Sequence, residues 1–401
     1  MVYTNEGSLW VIDGIEGSLS PQRLTSEVCD MDPLLSPDGH WVLFWRDSQS
    51  PLGTSCYTRR ELWAIEVDGS GERRLVRPED LLRRADTTTG SGTEIGLDRH
   101  PVQITWLRDS RTIAFNTGTS FDLPATAHYN DLWTIDVETG TLTQLLPDGE
   151  GGNFAFSPDG ARLVISTPTK VMMMDADGKN RRTLITFDLV CTHSEYSYHP
   201  SAVWAPDGSY ALVAISSQEP FDPDASGNLW RLPLIGDAVH LATLRGEFLH
   251  ITREDGLWSP DRTHVAYTRQ PLDGNDYERE LVVADGDGGN PVVYAVGELC
   301  FQYCGFNPRF QGWSPDSHRF IFWQDDSFYV GQLDQPPVTL APQEETHGVD
   351  CFGWIDEETF VYVTGEWEAR SIQVGQTGGS HHTIVGALKG NLHLVVRRTK
   401  P

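Results

Sequence analysis

The stretch FSPDGARLVIST, Phe156–Thr167, joins a tight turn to an apolar strand and is the segment on which the fold prediction depends. Pro158 fixes φ at the first central position of a turn, Asp159 can accept hydrogen bonds from the backbone that follows it, and Gly160 tolerates a left-handed exit. The residues after the turn have the apolar and β-branched character of a buried strand. Because an acidic loop is also typical of metal sites, the interpretation depends on whether the stretch occurs once or repeats.

The same turn-and-strand signature occurs seven times. The other copies are LLSPDGHWVLFW from Leu34, WLRDSRTIAFNT from Trp106, WAPDGSYALVAI from Trp204, WSPDRTHVAYTR from Trp258, WSPDSHRFIFWQ from Trp313 and WIDEETFVYVTG from Trp354. Their aspartates lie 40 to 71 residues apart. A repeat of this length indicates architecture rather than a single chemical site. The aspartate is therefore interpreted as a turn former, and the aromatic residue that precedes most copies as packing between repeats.

Each copy is followed by a second apolar strand, a short turn and a further strand, as in ELWAIEVDGSGERRLV from Glu61 and DLWTIDVETGTLTQLL from Asp131. The Asp and Gly residues of these turns tolerate the positive φ that tight hairpins require. One repeat therefore supplies four antiparallel strands, which form one blade of a β-propeller. We predict an all-β chain in which residues 1–401 form a single β-propeller domain.

The two chain ends carry incomplete repeats. Residues Val2 to Thr25 contain the later strands of a blade without the turn that should precede them, and residues Ala387 to Arg398 contain an apolar strand without a partner. Joining the two segments gives one more blade and leaves no open sheet edge. We therefore predict eight blades, with seven as the alternative, and a ring closed by N- and C-terminal strands that share one blade.

Composition limits the possible partners. Hydrophobic residues make up 39% of the chain, and 30 Lys and Arg against 57 Asp and Glu give a net charge of −27. This charge disfavours nucleic acid and anionic membrane surfaces as partners. No apolar run reaches the roughly 18 residues that a membrane-spanning helix needs, and MVYTNEGSLW at the N-terminus lacks the pattern of a signal segment. We expect an acidic monomer without a membrane span.

The state of the cysteines depends on the cellular compartment of the protein. The six cysteines contain no CxxC pair, so disulfides and free thiols both stay open as interpretations. They are Cys29, Cys56, Cys191, Cys300, Cys304 and Cys351. The prediction favours a periplasmic or extracellular location.

The repeated Ser-Pro-Asp-Gly turn, with an aromatic residue before it and a strand closing on Asp-x-x-Gly after it, resembles the TolB-type, WD-like propeller repeat. The resemblance covers nearly the whole chain, although the second and seventh copies replace the turn by Leu-Arg-Asp-Ser and Ile-Asp-Glu-Glu. Such propellers serve as periplasmic interaction modules, as gating domains of serine peptidases and as sugar-active lyases, so the resemblance implies a fold rather than one function. Because the chain ends with its last blade, we expect no peptidase domain after it.

Long connections collect on the side of the blades opposite the Ser-Pro-Asp-Gly turns, which we call the long-loop face. They span Arg46 to Glu61, Arg77 to Val102, Thr117 to Asp131, Asp188 to Pro200, Ser216 to Asn228 and Val296 to Phe310. Long loops on a rigid scaffold are where binding sites usually occur. The predicted binding residues on this face are Phe121, Tyr129, Tyr196, Tyr198, Phe301 and Tyr303.

Four histidines stand five to eight residues before the tryptophan of their repeats: His100, His199, His250 and His347. That position is the entry to the innermost strand of a blade, beside the central channel, so the imidazoles are predicted to converge on a divalent metal. The arrangement is similar in kind to TolB-like oligogalacturonate lyases, which hold a metal with histidines and a glutamine at the channel mouth. Separate, loop-packing histidines are the alternative interpretation.

Two classes of function follow. The first is a non-enzymatic recognition scaffold that binds a protein, peptide or glycan on the long-loop face, without a required cofactor. It is preferred because the sequence contains no GxSxG elbow, no HExxH motif and no phosphate-binding Gly-rich loop, and no catalytic residue is assigned. The alternative is a metal-assisted carbohydrate-active enzyme, in which a metal at the four histidines acidifies a sugar acid for elimination.

Overall fold

The computed structural model describes residues 1–15, 19–26, 29–47, 60–81, 99–120, 126–194, 196–222, 224–248, 258–275, 277–298, 307–325, 327–339, 352–365, 369–390 and 392–397. These residues form eight antiparallel β-sheets and one short 3-10 helix. None of them belongs to a helix long and apolar enough to cross a membrane. The sheets divide between two compact units, which are described in turn.

The first unit consists mainly of Met1–Gly152 and Gly386–Arg397 and holds three sheets. The first sheet contains β1 (Val2–Asn5), β2 (Ser8–Val11), β3 (Gln22–Arg23) and the last strand of the chain, β32 (Leu394–Val395). The second contains β4 (Asp30–Leu35), β5 (Trp41–Asp47), β6 (Arg60–Glu66) and β7 (Arg73–Val76), and the 3-10 helix Pro78–Leu81 follows it. The third contains β8 (Arg99–Trp106), β9 (Thr112–Ser120), β10 (Thr126–His128), β11 (Leu132–Asp136) and β12 (Leu142–Leu146).

The sheet that combines both chain ends confirms the eighth blade. Strand β32 pairs antiparallel with β1, with Val395 opposite Val2 and Leu394 opposite Tyr3. The backbone N–H of Thr4 donates to the carbonyl of His393 at 3.0 Å. These bonds occupy the edge of β1 that faces away from β2, as the incomplete terminal repeats predicted.

The second unit consists mainly of Asn153–Glu366 and Arg370–Val385 and holds five sheets. The first two contain β13 (Asn153–Phe156), β14 (Arg162–Ser166), β15 (Lys170–Asp175) and β16 (Arg182–Thr186), then β17 (Ala202–Trp204), β18 (Tyr210–Ser216), β19 (Ser226–Pro233) and β20 (Val239–Arg245). The third contains β21 (His264–Arg269), β22 (Glu278–Asp285) and β23 (Val292–Glu298). The last two contain β24 (Arg309–Trp313), β25 (Arg319–Gln324), β26 (Ser327–Gln332) and β27 (Gln335–Thr339), then β28 (Phe352–Trp354), β29 (Thr359–Thr364), β30 (Arg370–Gln376) and β31 (His381–Leu388).

In the third sheet of this unit, the described residues supply two isolated bridges to β21, Glu247 to Thr268 and Trp258 to Val265, in place of a first strand. Five of the other sheets have the predicted four strands, each paired with the next along the chain. The terminal sheet places β32 beside β1, and the sheet of β8–β12 carries β10 as a fifth strand on β9. The fold prediction is therefore confirmed: the chain is all-β, and its eight sheets are the blades of a β-propeller.

The turn that opens the repeat at Phe156 is built by its serine and aspartate. The Ser157 hydroxyl donates to Asp159 Oδ1 at 2.5 Å and accepts the backbone N–H of Arg162 at 2.8 Å. Asp159 Oδ1 also accepts the N–H of Ala161, and Gly160 has φ +71. The Ser157 hydroxyl, followed by that backbone N–H, lowers the pKa of Asp159. The aspartate is thus a turn former whose carboxylate is occupied by its own turn.

The repeated tryptophans pack between neighbouring blades, as predicted. Trp106 at the end of β8 is buried and donates its indole N–H to the carbonyl of Leu34 in the preceding sheet at 3.2 Å. Trp204 does the same to Ala155 at 3.0 Å. A buried indole that donates a hydrogen bond to the backbone of the neighbouring sheet fixes the distance between the two sheets as well as filling space.

Candidate ligand-binding site on the long-loop face

The predicted histidine set is only partly described. His250 and His347 lie outside the described residues. In the first unit, His100 is the second residue of β8, and its ring lies edge-on to Trp45 with centroids 6.4 Å apart. In the second unit, His199 is buried just before β17, and its Nδ1 lies 3.0 Å from the Ser197 carbonyl oxygen. The four-histidine metal site therefore stays a prediction.

The structure describes three of the six predicted aromatic residues. Phe121, Phe301 and Tyr303 lie outside the described residues. In the first unit, Tyr129 is half-buried, and the guanidinium of Arg99 lies over its ring at 3.9 Å from the centroid. Its hydroxyl accepts a hydrogen bond from Thr119 Oγ1 at 3.0 Å. A role of Tyr129 in binding stays a prediction.

Tyr198 anchors the connection that precedes β17. Its side chain is buried, its hydroxyl donates to the carbonyl of Ala214 at 3.2 Å, and the backbone N–H of Ser216 donates to the same hydroxyl at 3.2 Å. Burial raises the pKa of Tyr198, and it also raises the pKa of the half-buried Tyr196. With its hydroxyl bonded to β18, Tyr198 fixes the position of the loop that a ligand on this face would meet.

Two long loops of the second unit are tied to each other. The backbone N–H of Cys191 donates to the carbonyl of Gln218 at 2.7 Å, which joins the loop after β16 to the loop after β18. Within the first loop, the Thr192 hydroxyl donates to the carbonyl of Tyr196 at 2.8 Å. The first bond holds the two connections together, and the second fixes the backbone within the first loop.

A pocket lies beside these loops, where the chain passes from β20 towards β21. The backbone N–H of Gly246 donates to the carbonyl of Ala225 at 2.8 Å, and that of Glu247 donates to Thr268 at 2.9 Å. The chain therefore bridges two neighbouring sheets at this point. The pocket is lined by Phe221, Asp222, Ala225, Arg245, Gly246, Glu247, Gln270 and Arg279.

Charged groups form the floor of this pocket. Arg279 Nε donates to Glu247 Oε1 at 2.6 Å, with both side chains largely buried. No donor among the described residues reaches the second carboxylate oxygen, Oε2, which is also buried. Burial raises the pKa of Glu247, against the opposing effect of Arg279. Arg245 Nη2 donates to the carbonyl of Gln270. The pocket floor thus holds a buried carboxylate oxygen whose hydrogen-bonding capacity no described residue uses.

Exposed apolar side chains lie in the wall of the pocket and on the connection that carries Gln270. Phe221 in its wall is 55% exposed, Leu272 is 84% exposed and Tyr277 is 54% exposed. Leu272 and Tyr277 lie on the connection from β21 to β22, which also carries Gln270 of the pocket wall. Large exposed apolar side chains next to a polar pocket are typical of binding surfaces.

Two groups of residues here were not predicted. Glu247, Arg245 and Arg279 were missed because each looks like an ordinary surface charge at a strand end, although Arg279 lies in the charged run that opens the apolar strand β22. A charge at the start of a buried strand was the signal that could have found it. The second group, Cys191, His193 and Glu219, presents metal-ligating atoms within 4.8 Å of one another.

The structure describes two of the six cysteines. Cys29 is disulfide-bonded and Cys191 is a free, solvent-accessible thiol. Cys56, Cys300, Cys304 and Cys351 lie outside the described residues.

Comparison with known proteins supports the fold. Neither a protein-family model nor a curated protein matches the sequence. Among solved structures, the chain is similar to dipeptidyl peptidase 4 of Porphyromonas gingivalis, with 10% identity over 96% of this chain and 59% of that one, and a TM-score of 0.54. It is similar to a eukaryotic initiation factor, with 12% identity over 98% of this chain and 86% of that one, and a TM-score of 0.51.

TolB from Acinetobacter baumannii also matches, with 16% identity over 88% of this chain and 65% of that one, and a TM-score of 0.42. This chain therefore spans less than two thirds of the TolB and peptidase chains that it matches. At these identities the similarities concern the fold alone. Together with the eight-blade architecture, the two matches with TM-scores above 0.5 confirm the β-propeller fold predicted from the repeat.

Proposed function

We propose that the chain is a recognition propeller that binds a protein, peptide or glycan ligand at the Glu247 pocket on the long-loop face of the second unit. The observation that carries the proposal is a charged pocket whose wall includes the exposed ring of Phe221, next to a connection with two further exposed apolar side chains. The pocket is lined by Phe221, Glu247 and Arg279, and Leu272 and Tyr277 lie on the connection beside it.

These exposed apolar side chains favour a polypeptide over a purely polar ligand. Covering an exposed aromatic or aliphatic side chain is worth roughly 1.5–3 kcal/mol when the burial is complete. Phe221 is 55% exposed and Leu272 is 84% exposed, so a partner that covers both side chains gains part of this free energy of burial from each. Hot spots of protein interfaces are typically such aromatic anchors.

The charged floor would give the ligand its orientation. Glu247 Oε2 is buried in the unliganded chain; once a bound ligand makes it accessible, it would accept from a backbone N–H, an ammonium or a hydroxyl, while Arg279 holds the other carboxylate oxygen in place. The net charge of −27 attracts a ligand with basic groups and speeds its association. A basic peptide with one large apolar side chain would place its basic group at Glu247 and cover the exposed ring of Phe221.

The disulfide at Cys29 supports a periplasmic or extracellular location for this activity, because disulfides persist in oxidising compartments. Expression with and without export to the periplasm, followed by thiol labelling, measures whether the bridge forms only on export.

Selection from a random-peptide display library and screening of a glycan array test the proposal. Ligands that bind the unmodified chain are measured again with Phe221→Ala and Glu247→Ala, and each substitution should weaken binding at least about tenfold, the effect of roughly 1.4 kcal/mol. The matched control is Ile235→Ala, which removes a 90% exposed apolar side chain from the hairpin at the opposite end of the same sheet. Ligands that bind all three variants equally would place the interaction elsewhere and overturn the proposal.

A further inference from the structure

Three side chains of metal-ligating type converge on the long-loop face of the second unit. Cys191 and His193 come from the loop after β16, and Glu219 comes from the loop after β18. Each offers a ligand atom, and these atoms all lie within 4.8 Å of one another. His193 Nε2 is 3.4 Å from Glu219 Oε2. None of these residues belongs to the four-histidine set predicted from the sequence.

The backbone brings the ligands together before any ion binds. The N–H of Cys191 donates to the carbonyl of Gln218, the residue before Glu219, at 2.7 Å. Between the two ligands of the first loop, Thr192 is buried and its hydroxyl is bonded to the carbonyl of Tyr196. The two loops are therefore held in register, and only side-chain rotation is needed to adjust the three ligand atoms.

The spacing fits a tetrahedral ion. Two ligands at about 2.1 Å from zinc with tetrahedral angles lie about 3.4 Å apart. The His193 to Glu219 distance already has this value. The remaining separations, which reach at most 4.8 Å, need shifts of about 1 Å in solvent-accessible side chains.

The donor set selects the metal. A thiolate, an imidazole and a carboxylate together suit Zn²⁺ and disfavour Ca²⁺ and Mg²⁺, which take oxygen ligands. We propose that Cys191, His193 and Glu219 form a Zn²⁺ site with three protein ligands and a fourth position open to water or to a ligand group.

The site adjoins the proposed binding pocket through one residue. The ring of Phe221, which lines the pocket, lies against the ring of His193 with centroids 5.6 Å apart. A zinc ion at this position would stand at the rim of the pocket, where its open coordination position can accept a carboxylate or imidazole of the bound partner. The zinc proposal itself does not depend on the peptide proposal, since its ligands are separate from Glu247 and Arg279.

The experiment is a Zn²⁺ titration of the full chain, with the disulfide at Cys29 left intact, against a chromophoric chelator, paired with Co²⁺ substitution. The unmodified chain should bind Zn²⁺ and show a thiolate-to-Co²⁺ charge-transfer band. Cys191→Ser should abolish that band. The variants Cys191→Ser, His193→Gln and Glu219→Gln should each weaken Zn²⁺ binding by about 100-fold or more, since loss of a mere outer-shell partner costs 10–100-fold.

The control is His240→Gln, an exposed histidine of β20 in the sheet that also carries Glu219's loop, which should leave zinc affinity unchanged. Thermal unfolding without metal verifies that each variant folds. Zinc affinity that is the same in Cys191→Ser as in the unmodified chain, or a cobalt band that survives the substitution, would overturn the site. Loss of peptide binding with zinc binding intact would instead count only against the recognition proposal.

Discussion

Replacing Arg99 by methionine should lower the free energy of unfolding by about 3–5 kcal/mol, because it breaks a fully buried ion pair. Arg99 has no solvent exposure, and its Nη2 donates to Asp131 Oδ2 at 2.7 Å and to Asp148 Oδ1 at 2.9 Å. Its Nε donates to Thr117 Oγ1 at 2.9 Å, and its guanidinium lies over the ring of Tyr129. Methionine keeps much of the stem but removes every one of these bonds.

The lower half of that range is the expected value. Asp131 Oδ1 keeps the backbone N–H of Thr117 at 2.7 Å, and Oδ2 keeps the Thr117 hydroxyl at 2.6 Å and the indole N–H of Trp133. The carboxylate is therefore left with hydrogen bonds but without a counter-charge. Urea unfolding followed by tryptophan fluorescence measures the loss as the change in midpoint multiplied by the m-value.

Arg111→Met is the matched control, because it makes the same substitution in the same sheet. Arg111 Nε lies 2.5 Å from Asp136 Oδ2, yet its side chain is 47% exposed, and exposed ion pairs contribute little. Its urea midpoint should stay close to that of the unmodified chain. If Arg99→Met fails to fold, Asp148→Asn serves in its place and should cost about 1 kcal/mol, since it removes one charge-assisted bond. Equal losses for Arg99→Met and Arg111→Met would refute the reasoning from burial.

Three further outcomes are expected. Burial raises the pKa of Tyr3 to about 12, so its contribution to stability is complete below about pH 10 and is lost as the pH rises through 12; Tyr3→Phe should remove this part of the alkaline unfolding curve. Gly227→Ala should cost about 1–3 kcal/mol in thermal unfolding, because its Cβ would lie 2.4 Å from the ring of Phe248, whereas Gly378→Ala meets open space and should be neutral. If the predicted histidines bind a metal, elemental analysis of the Cys191→Ser variant, which lacks the proposed zinc site, should still find an ion, and the additional change His199→Gln should remove it.

The fold could be predicted because its signals are local. Each repeat can be recognised by an aspartate whose carboxylate accepts a hydrogen bond from the backbone N–H two residues later. This geometry needs no contact with the rest of the chain. The two copies without Pro-Asp-Gly show the same chemistry: Asp109 accepts the N–H groups of Arg111 and Thr112, and Asp356 accepts those of Glu358 and Thr359. The aspartate alone is therefore sufficient for the turn.

The site could not be predicted in the same way because its residues come from separate segments of the chain and meet only in the folded structure. Glu247, in the connection after β20, reaches Arg279 of β22, and Cys191 meets Glu219 from a different loop. Neither pairing has a fixed spacing in the sequence. The loop from Thr117 to Asp131 illustrates the same limit, since part of it is the extra strand β10, which pairs with β9 beyond the four strands of the repeat.

The pairing of β32 with β1 also bears on the order of folding. His393 donates its backbone N–H to the Thr4 hydroxyl across a sequence separation of 389 residues. Closing a loop of that length by itself costs about 5 kcal/mol of chain entropy, more than a two-residue ladder returns. The blade that carries both chain ends is therefore expected to assemble last, after the intervening blades have shortened the effective loop, and until then β1 keeps an unpaired edge open to strands of other molecules.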